Sequence, residues 1–380
     1  MPDEDFIERE FPQDQSLIYL NHAAVAPWPA RTARAVQAFA EENARSGARD
    51  YGRWLEREQT LREQCRRLVH APSAEDIAFL KNTSEGLSVV AEGLPFEDGD
   101  NVVTSDEEFP SNRIPWAAQA RRGVGLREVS LKVDDPEAAL LAACDERTRV
   151  LTVSSVEYAS GLRLDLPRLG TFCRERGVVF CVDAIQSLGA HAVDVEAARI
   201  DCLAADAHKW LLGPEGIALF FCRPELRERL SLHQFGWHML RDAGDFASRD
   251  TAPAASARRF ECGSSNMLGI HALAASLSLI EEVGMAQIED RVLANTARLR
   301  EGLERIPGTV ILSRREAGRR AGILVFRIEG RDSVGLHGEL VKRNVLCAAR
   351  GGGIRLSPHF YTPRQKIDKA IEIISAIIRY

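Results

Sequence analysis

VVFCVDAIQSLGA, residues 178–190, and CLAADAHKWLLGPEGIALFF, residues 202–221, decide the reading of this chain. Each opens with a short apolar run and passes into a polar turn, the pattern of a buried strand ending at a sheet edge. The first delivers Asp183 to its end, with Gln186 close behind; the second delivers His208 and Lys209. A lysine set between apolar segments is costly to bury unless it has a chemical task. Imine formation with an aldehyde cofactor is one, because it makes the amine a covalent tether. A pyridine ring draws electrons well only with its nitrogen protonated, which calls for a neighbouring carboxylate. Asp183 and Lys209 could face such a ring from two sides. By themselves they fit equally well a helix-capping aspartate and an exposed turn lysine.

Reading outward, DIAFL (76–80), NVVTS (101–105) and VLTVSS (150–155) repeat the short apolar run, and residues 30–46 and 55–69 carry helix-period apolar positions. Strands alternating with helices predict a mainly parallel sheet covered on both faces, with ligands at the carboxyl ends of its strands. The rhythm changes late in the chain. Helices are expected over 267–283 and 286–305, meeting near Gly284, then strands ILVFRI (323–328) and NVLCAA (344–349), and a closing helix over 363–378. The predicted fold is α/β: a large doubly wound domain over 15–270 and a smaller α+β domain over 271–380, with residues 1–14 packing on either. A chain of 380 residues is long enough for two cores.

Composition narrows the function. With 45% apolar and 27% charged residues the chain is an ordinary globular one, and a net charge of −6 argues against a nucleic-acid partner. Arg314, Arg315, Arg319 and Arg320 read as a solvated loop. The acidic start MPDEDFIEREFPQD resembles neither a secretory signal nor a basic transit peptide, and no apolar run is long enough to span a bilayer. Eight cysteines without a CxxC pair read as reduced, cytoplasmic usage. Nine histidines without HExxH spacing predict no metal site.

Two more segments reach the same sheet edge. KNTSEGL (81–87) starts a helix at Thr83 or Ser84, whose hydroxyls and free first-turn N–H groups suit a phosphate or serve as plain caps. SDEEFPSNRIPW (105–116) brings Phe109 there, to stack on a planar ring or to join the core. No GxGxxG follows a strand, which speaks against a dinucleotide site, and GGGIRL (351–356) has the wrong context.

VDAIQSLGA followed by AHKWLLGPEG resembles the class V aminotransferase family of fold-type I pyridoxal-phosphate enzymes, which includes cysteine desulfurases, isopenicillin N epimerase-like proteins and, more distantly, kynureninases. The resemblance runs from YLNHAAVAPWP (19–29) to about Tyr361. It implies pyridoxal 5′-phosphate tethered to Lys209, which also moves the proton at the substrate α-carbon. Asp183 would hold the pyridine nitrogen, Gln186 the ring hydroxyl and Phe109 the ring face. Thr83, Ser84 and His208 would bind phosphate, and Ser264 in ECGSSN (261–266) would reach it from a partner subunit, implying a homodimer with shared sites. Arg355 would bind the substrate carboxylate with a two-pronged guanidinium, and Asn21 and His22 would line the substrate side.

This chain departs from the pattern at three places. Relatives often place Ser where Asp206 stands, and a carboxylate there repels a phosphate dianion, so Asp206 is expected to point elsewhere. VSSVEYASGL (153–162) lacks the desulfurase histidine, and its Glu157–Tyr158 pair is closer to the kynureninase version. Desulfurases carry a nucleophilic cysteine on a loop ahead of the arginine. Here only Cys347 is available, in an apolar setting that suits a packed core residue better than an exposed, activated thiol. Transamination of an amino acid is therefore the first expectation. A C–S or other β-lyase comes second, an epimerase third, and a catalytically silent regulator last. The segment 233–251, with Trp237 and His238, is expected at the entrance.

Overall fold

The computed structural model describes residues 4–378. Its strands in chain order are β1 (Ile18–Tyr19), β2 (Ile77–Leu80), β3 (Asn101–Ser105), β4 (Gly125–Val129), β5 (Thr148–Ser154), β6 (Val179–Asp183), β7 (Cys202–Asp206) and β8 (Ala218–Cys222). They are followed by β9 (Thr309–Ile311), β10 (Leu324–Ile328), β11 (Val345–Leu346), β12 (Ala348–Arg350) and β13 (Gly353–Leu356). Seven of them form the large sheet in the order β2-β8-β7-β6-β5-β3-β4. Strands β4, β3, β5, β6 and β7 run parallel, while β8 pairs antiparallel with both β7 and β2. The expected α/β architecture is present.

The continuous apolar runs have a plain cause, because both faces of the sheet are covered. Phe180, Val182, Leu203, Ala205, Leu219 and Phe221 point into one core, where the helices Tyr51–Val69 and Met267–Val283 pack. Their neighbours Val179, Cys181, Cys202, Ala204, Phe220 and Cys222 point into the other, beneath the helix Thr83–Gly93. The edge strand β4, GLREV, is largely exposed and carries no such run.

A third core joins the four-stranded sheet β12-β13-β10-β9 to the helices Ser333–Lys342 and Arg364–Ile378. The helix Met285–Glu304 serves two cores: Ile288 and Val292 enter the first, Leu299 and Leu303 the third. Strand β1 pairs in parallel with β11, so the amino-terminal segment starts beside the small sheet and runs on to the large one, where Ala26 N–H donates to the His208 carbonyl (2.8 Å).

One sequence expectation is corrected here. The arginine-rich segment 314–320 is a clasp and not a freely solvated loop. Arg319 grips the buried Glu137 with both Nη atoms, and Arg314 donates to the Leu131 and Val133 carbonyls. Among the described residues, no single helix is long and apolar enough to cross a membrane.

Candidate active site

Parallel strands place their carboxyl ends on one edge, and the chemistry-bearing residues collect there. Asp183 closes β6 and Asp206 closes β7; the tight turn after Asp206 carries His208 and Lys209, fastened by Leu212 N–H to the Lys209 carbonyl (3.0 Å). Leu212 takes the left-handed backbone this turn demands (φ 60°).

Lys209 is buried, 8% exposed, and no carboxylate lies within ion-pair distance among the described residues. Burial lowers its ammonium to about 8, the Asp183 charge pulling the other way and Arg355 adding to the drop. Asp183 is pushed up to about 6 by burial, against the Ile185 N–H that its Oδ1 accepts at 3.0 Å. The Lys209 Nζ lies 5.5 Å from the centre of the Phe109 ring, which is 40% exposed and meets Tyr158 edge-on at 5.1 Å. The ring therefore stands at the mouth of the site and not in the core.

The helix Thr83–Gly93 is capped by Asn82, whose side chain accepts from Glu85 N–H. It packs so tightly that a Cβ on Gly86 would come within 2.9 Å of Ala204 Cβ. This seats Thr83 over β7, where its hydroxyl oxygen accepts from Asp206 N–H (3.0 Å) and keeps its proton to donate. Ser84 Oγ donates to Ser111 Oγ (2.7 Å). The Asp206 carboxylate turns towards the His208 ring, its Oδ1 lying 3.0 Å from Nδ1.

Arg355 lies on β13 between β10 and β12, 3% exposed. Its Nη1 donates to the Tyr158 carbonyl (2.8 Å), its Nε has no hydrogen-bond partner among the described residues, and burial lowers the guanidinium to about 10. A buried guanidinium without a carboxylate is unusual and suits an arriving anion.

Two expected residues are placed differently. His22 is fully buried with both nitrogens engaged, Nδ1 to the Ser357 carbonyl (2.8 Å) and Nε2 to the Tyr361 hydroxyl (2.6 Å). It braces the amino-terminal segment and has no group left for a substrate. Gln186 accepts from Trp210 Nε1 (2.9 Å) and donates to the Ala23 carbonyl (3.0 Å), keeping one N–H free. Ser264 is exposed on the loop before the helix Met267–Val283, with no contact to the Lys209 group of its own chain. Beside it, the expected entrance segment differs too: His238 Nδ1 faces Glu261 Oε2 at 3.8 Å, while Trp237 packs on Phe246. Asn21 Oδ1 is buried without a partner.

Sequence reasoning missed Glu108, and it noted Glu157 without its burial beside that second carboxylate, behind the aromatic. Glu108 and Glu157 are both buried and share the Ser105 hydroxyl (3.5 and 2.9 Å). Glutamates beside Phe109 in SDEEF gave no sign of burial, since their run reads as polar.

These residues fit pyridoxal phosphate: an unpaired buried amine, a buried carboxylate, an aromatic face, a hydroxyl at a helix start and an unpaired arginine. The aminotransferase class V profile matches residues 18–367. A probable cysteine desulfurase of Methanothermobacter thermautotrophicus is 31% identical, over 98% of this chain and 97% of its own. Two solved structures share the fold. The cysteine desulfurase of Thermococcus onnurineus has a TM-score of 0.88 at 23% identity, covering 100% of this chain and 99% of that one. The cystine C–S lyase C-DES, complexed with its product cysteine persulfide, has 0.89 at 21% identity, covering 96% and 99%. The chain belongs to the class V aminotransferase family. The cofactor of that family is pyridoxal 5′-phosphate.

Proposed function

We propose that this chain is a pyridoxal-phosphate-dependent C–S lyase that releases sulfur from the β-carbon of an amino acid without a persulfide-forming cysteine of its own. One observation carries the reading. The chain ahead of Arg355, where desulfurases hold their nucleophile, is a tight hairpin of β12 and β13 turning at Gly351 and Gly352 (φ 63° and 77°). Cys347, before it, is buried, its thiol pushed up to about 12 by burial. Such a thiol is inert at neutral pH. Transamination, the first expectation from sequence, yields its place because most of the similar relatives are named desulfurases, one being named an aminotransferase, and no feature of this site favours it.

When bound, the cofactor supplies an electron sink for charge released at the substrate α-carbon. Lys209, with its ammonium lowered by burial, takes the α-proton as a neutral amine. Asp183 holds a proton at the ring nitrogen. The open Nε edge of Arg355 orients the substrate carboxylate, and Thr83 and His208 receive the phosphate. Phe109 covers the site and keeps water from it. In this reading a second copy of the chain brings Ser264 to the phosphate, and the protein works in a reducing cytoplasm, its eight cysteines free.

The purified holoprotein is mixed with L-cystine and L-cysteine, and pyruvate, alanine, sulfide and persulfide are measured. Pyruvate with released sulfur, retained in Cys347→Ser, is the expected result. Alanine with sulfide, lost in Cys347→Ser, overturns it in favour of a desulfurase; a keto acid retaining the substrate's sulfur, with no sulfur released, restores the aminotransferase.

A further inference from the structure

We propose that Glu157 is held as a neutral carboxylic acid and is the positioning residue that locks the Tyr158 turn between Phe109 and Arg355. Glu157 and Glu108 take no part in the chemistry described above; the consequence for a substrate carboxylate rests on that reading.

Glu157 opens a closed turn. Its N–H donates to the Leu162 carbonyl (2.9 Å), and its own carbonyl accepts from Gly161 N–H (2.9 Å). The side chain is fully buried. Oε1 accepts from Ser105 Oγ (2.9 Å), and Oε2 has no hydrogen-bond partner among the described residues. The charged groups facing it are acidic: Glu107 and Glu108 from the segment after β3, and Asp183 from the end of β6. No Lys, Arg or His lies within ion-pair distance of it among the described residues.

Its neighbour is furnished differently. Glu108 accepts from Ser154 N–H (2.6 Å), Ser154 Oγ (2.7 Å) and Asn112 Nδ2 (2.9 Å), a donor set that suits an anion. Its Oε1 lies 3.5 Å from Ser105 Oγ, whose single proton serves the nearer Glu157. Of two adjacent buried carboxyls, the one with three donors keeps the charge better, so the proton resides on the one with a single donor. Burial, then the Glu108 charge, push the Glu157 carboxyl well up, in the same direction.

The turn so held joins two parts of the site. The Tyr158 carbonyl accepts from Arg355 Nη1 (2.8 Å), and the Tyr158 ring abuts Phe109. From the far side the glycine hairpin presses on it: a Cβ at Gly351 would lie 2.2 Å from the Ala159 carbonyl oxygen. Loss of the Glu157 proton to solvent hydroxide leaves an anion facing Glu108 and Asp183 with no cation to balance it. The turn must then open to water, and Arg355 loses its anchor.

The test compares wild type with Glu157→Gln, which mimics the neutral acid. Infrared spectra of the apoprotein and the holoprotein at neutral pH should show the carbonyl stretch of a protonated carboxylic acid, absent from the variant. Hydrogen exchange of the 157–162 peptide, corrected for intrinsic base catalysis, should accelerate in wild type at alkaline pH and stay slow in Glu157→Gln. Inhibition of the holoprotein by propionate should weaken with rising pH at a lower pH in wild type than in Glu157→Gln, where the titration of Arg355, lowered to about 10, is what remains. An infrared band unchanged by the substitution, or equal exchange in both proteins across the pH range, overturns the proposal. Should the variant not fold, the pH at which the band disappears in glutamate-labelled Glu108→Gln, where Glu157 is the carboxyl left of the pair, decides: loss at mildly acid pH overturns the proposal, persistence to neutrality supports it. The infrared and exchange arms read on Glu157 even if pyridoxal phosphate is never taken up.

Discussion

The Lys209 side-chain nitrogen stands 5.5 Å from the centre of the Phe109 ring, so the residue proposed to tether a cofactor and the residue proposed to cover it face one another at the sheet edge. An aromatic face is worth about 0.5–1.5 kcal/mol beyond its buried area. Phe109→Ala should therefore weaken pyridoxal-phosphate affinity by about 2- to 13-fold, with Phe109→Tyr close to wild type. Titrating the apoprotein and following the visible band measures this. Equal affinity in all three proteins would place the ring away from the cofactor.

Capture of the cofactor also needs Lys209 as a neutral amine. Burial brings its ammonium down to about 8 from 10.5, so the rate of band formation in the apoprotein should rise with pH and level off above about 8. Below that pH the amine is mostly protonated and capture is slow. Lys209→Ala should give no band at any pH. A midpoint near that of free lysine would contradict the burial argument.

How much of this was legible in the sequence follows from where each group sits. Strands β6, β7 and β8 were readable because a sheet covered on both faces needs unbroken apolar runs. Asp183 and Lys209 stood out against those runs as polar residues at their ends. Strand β4 was not readable, since an edge strand open to solvent carries Arg127 and Glu128 in place of a run. His22 sat in the family's motif, yet its ring is consumed by a contact with Tyr361, far along the chain, which local pattern does not announce. Glu157 drew notice for its type, but its burial against Glu108 depends on strand order in space. The clasp of Arg319 on Glu137 escaped for the same reason.

Arg355 holds the Tyr158 carbonyl with Nη1 and leaves Nε free. Arg355→Lys removes the planar fork but keeps the charge, and losing a charge-assisted pair costs about 1.5–3 kcal/mol. Substrate KM should rise by roughly 10- to 150-fold with a smaller change in kcat. Steady-state kinetics with L-cystine decide, and an unchanged KM would show that the carboxylate binds elsewhere.

His22 gives a prediction about stability. Burial lowers its pKa to about 4 from 6.5, because the ring is enclosed with Nδ1–H donating to the Ser357 carbonyl and Nε2 accepting from the Tyr361 hydroxyl. A buried histidine held neutral contributes fully above the unfolded value of 6.5, and that contribution is lost as pH falls towards 4. The window corresponds to about 3 kcal/mol at most, at about 1.4 kcal/mol per pH unit. His22→Gln cannot titrate, so its deficit relative to wild type should be largest at neutral pH and shrink steadily below 6.5. His191 is lowered by burial too and is common to both proteins, while His359 is lowered by burial and by the neighbouring His22 charge, so its share changes with the substitution. Denaturant unfolding of the pair at neutral and mildly acidic pH supplies the comparison. A deficit constant with pH would mean that His22 has the same pKa folded and unfolded, and a deficit that grows as pH falls would mean that the Tyr361 contact holds a cation in place of a neutral ring.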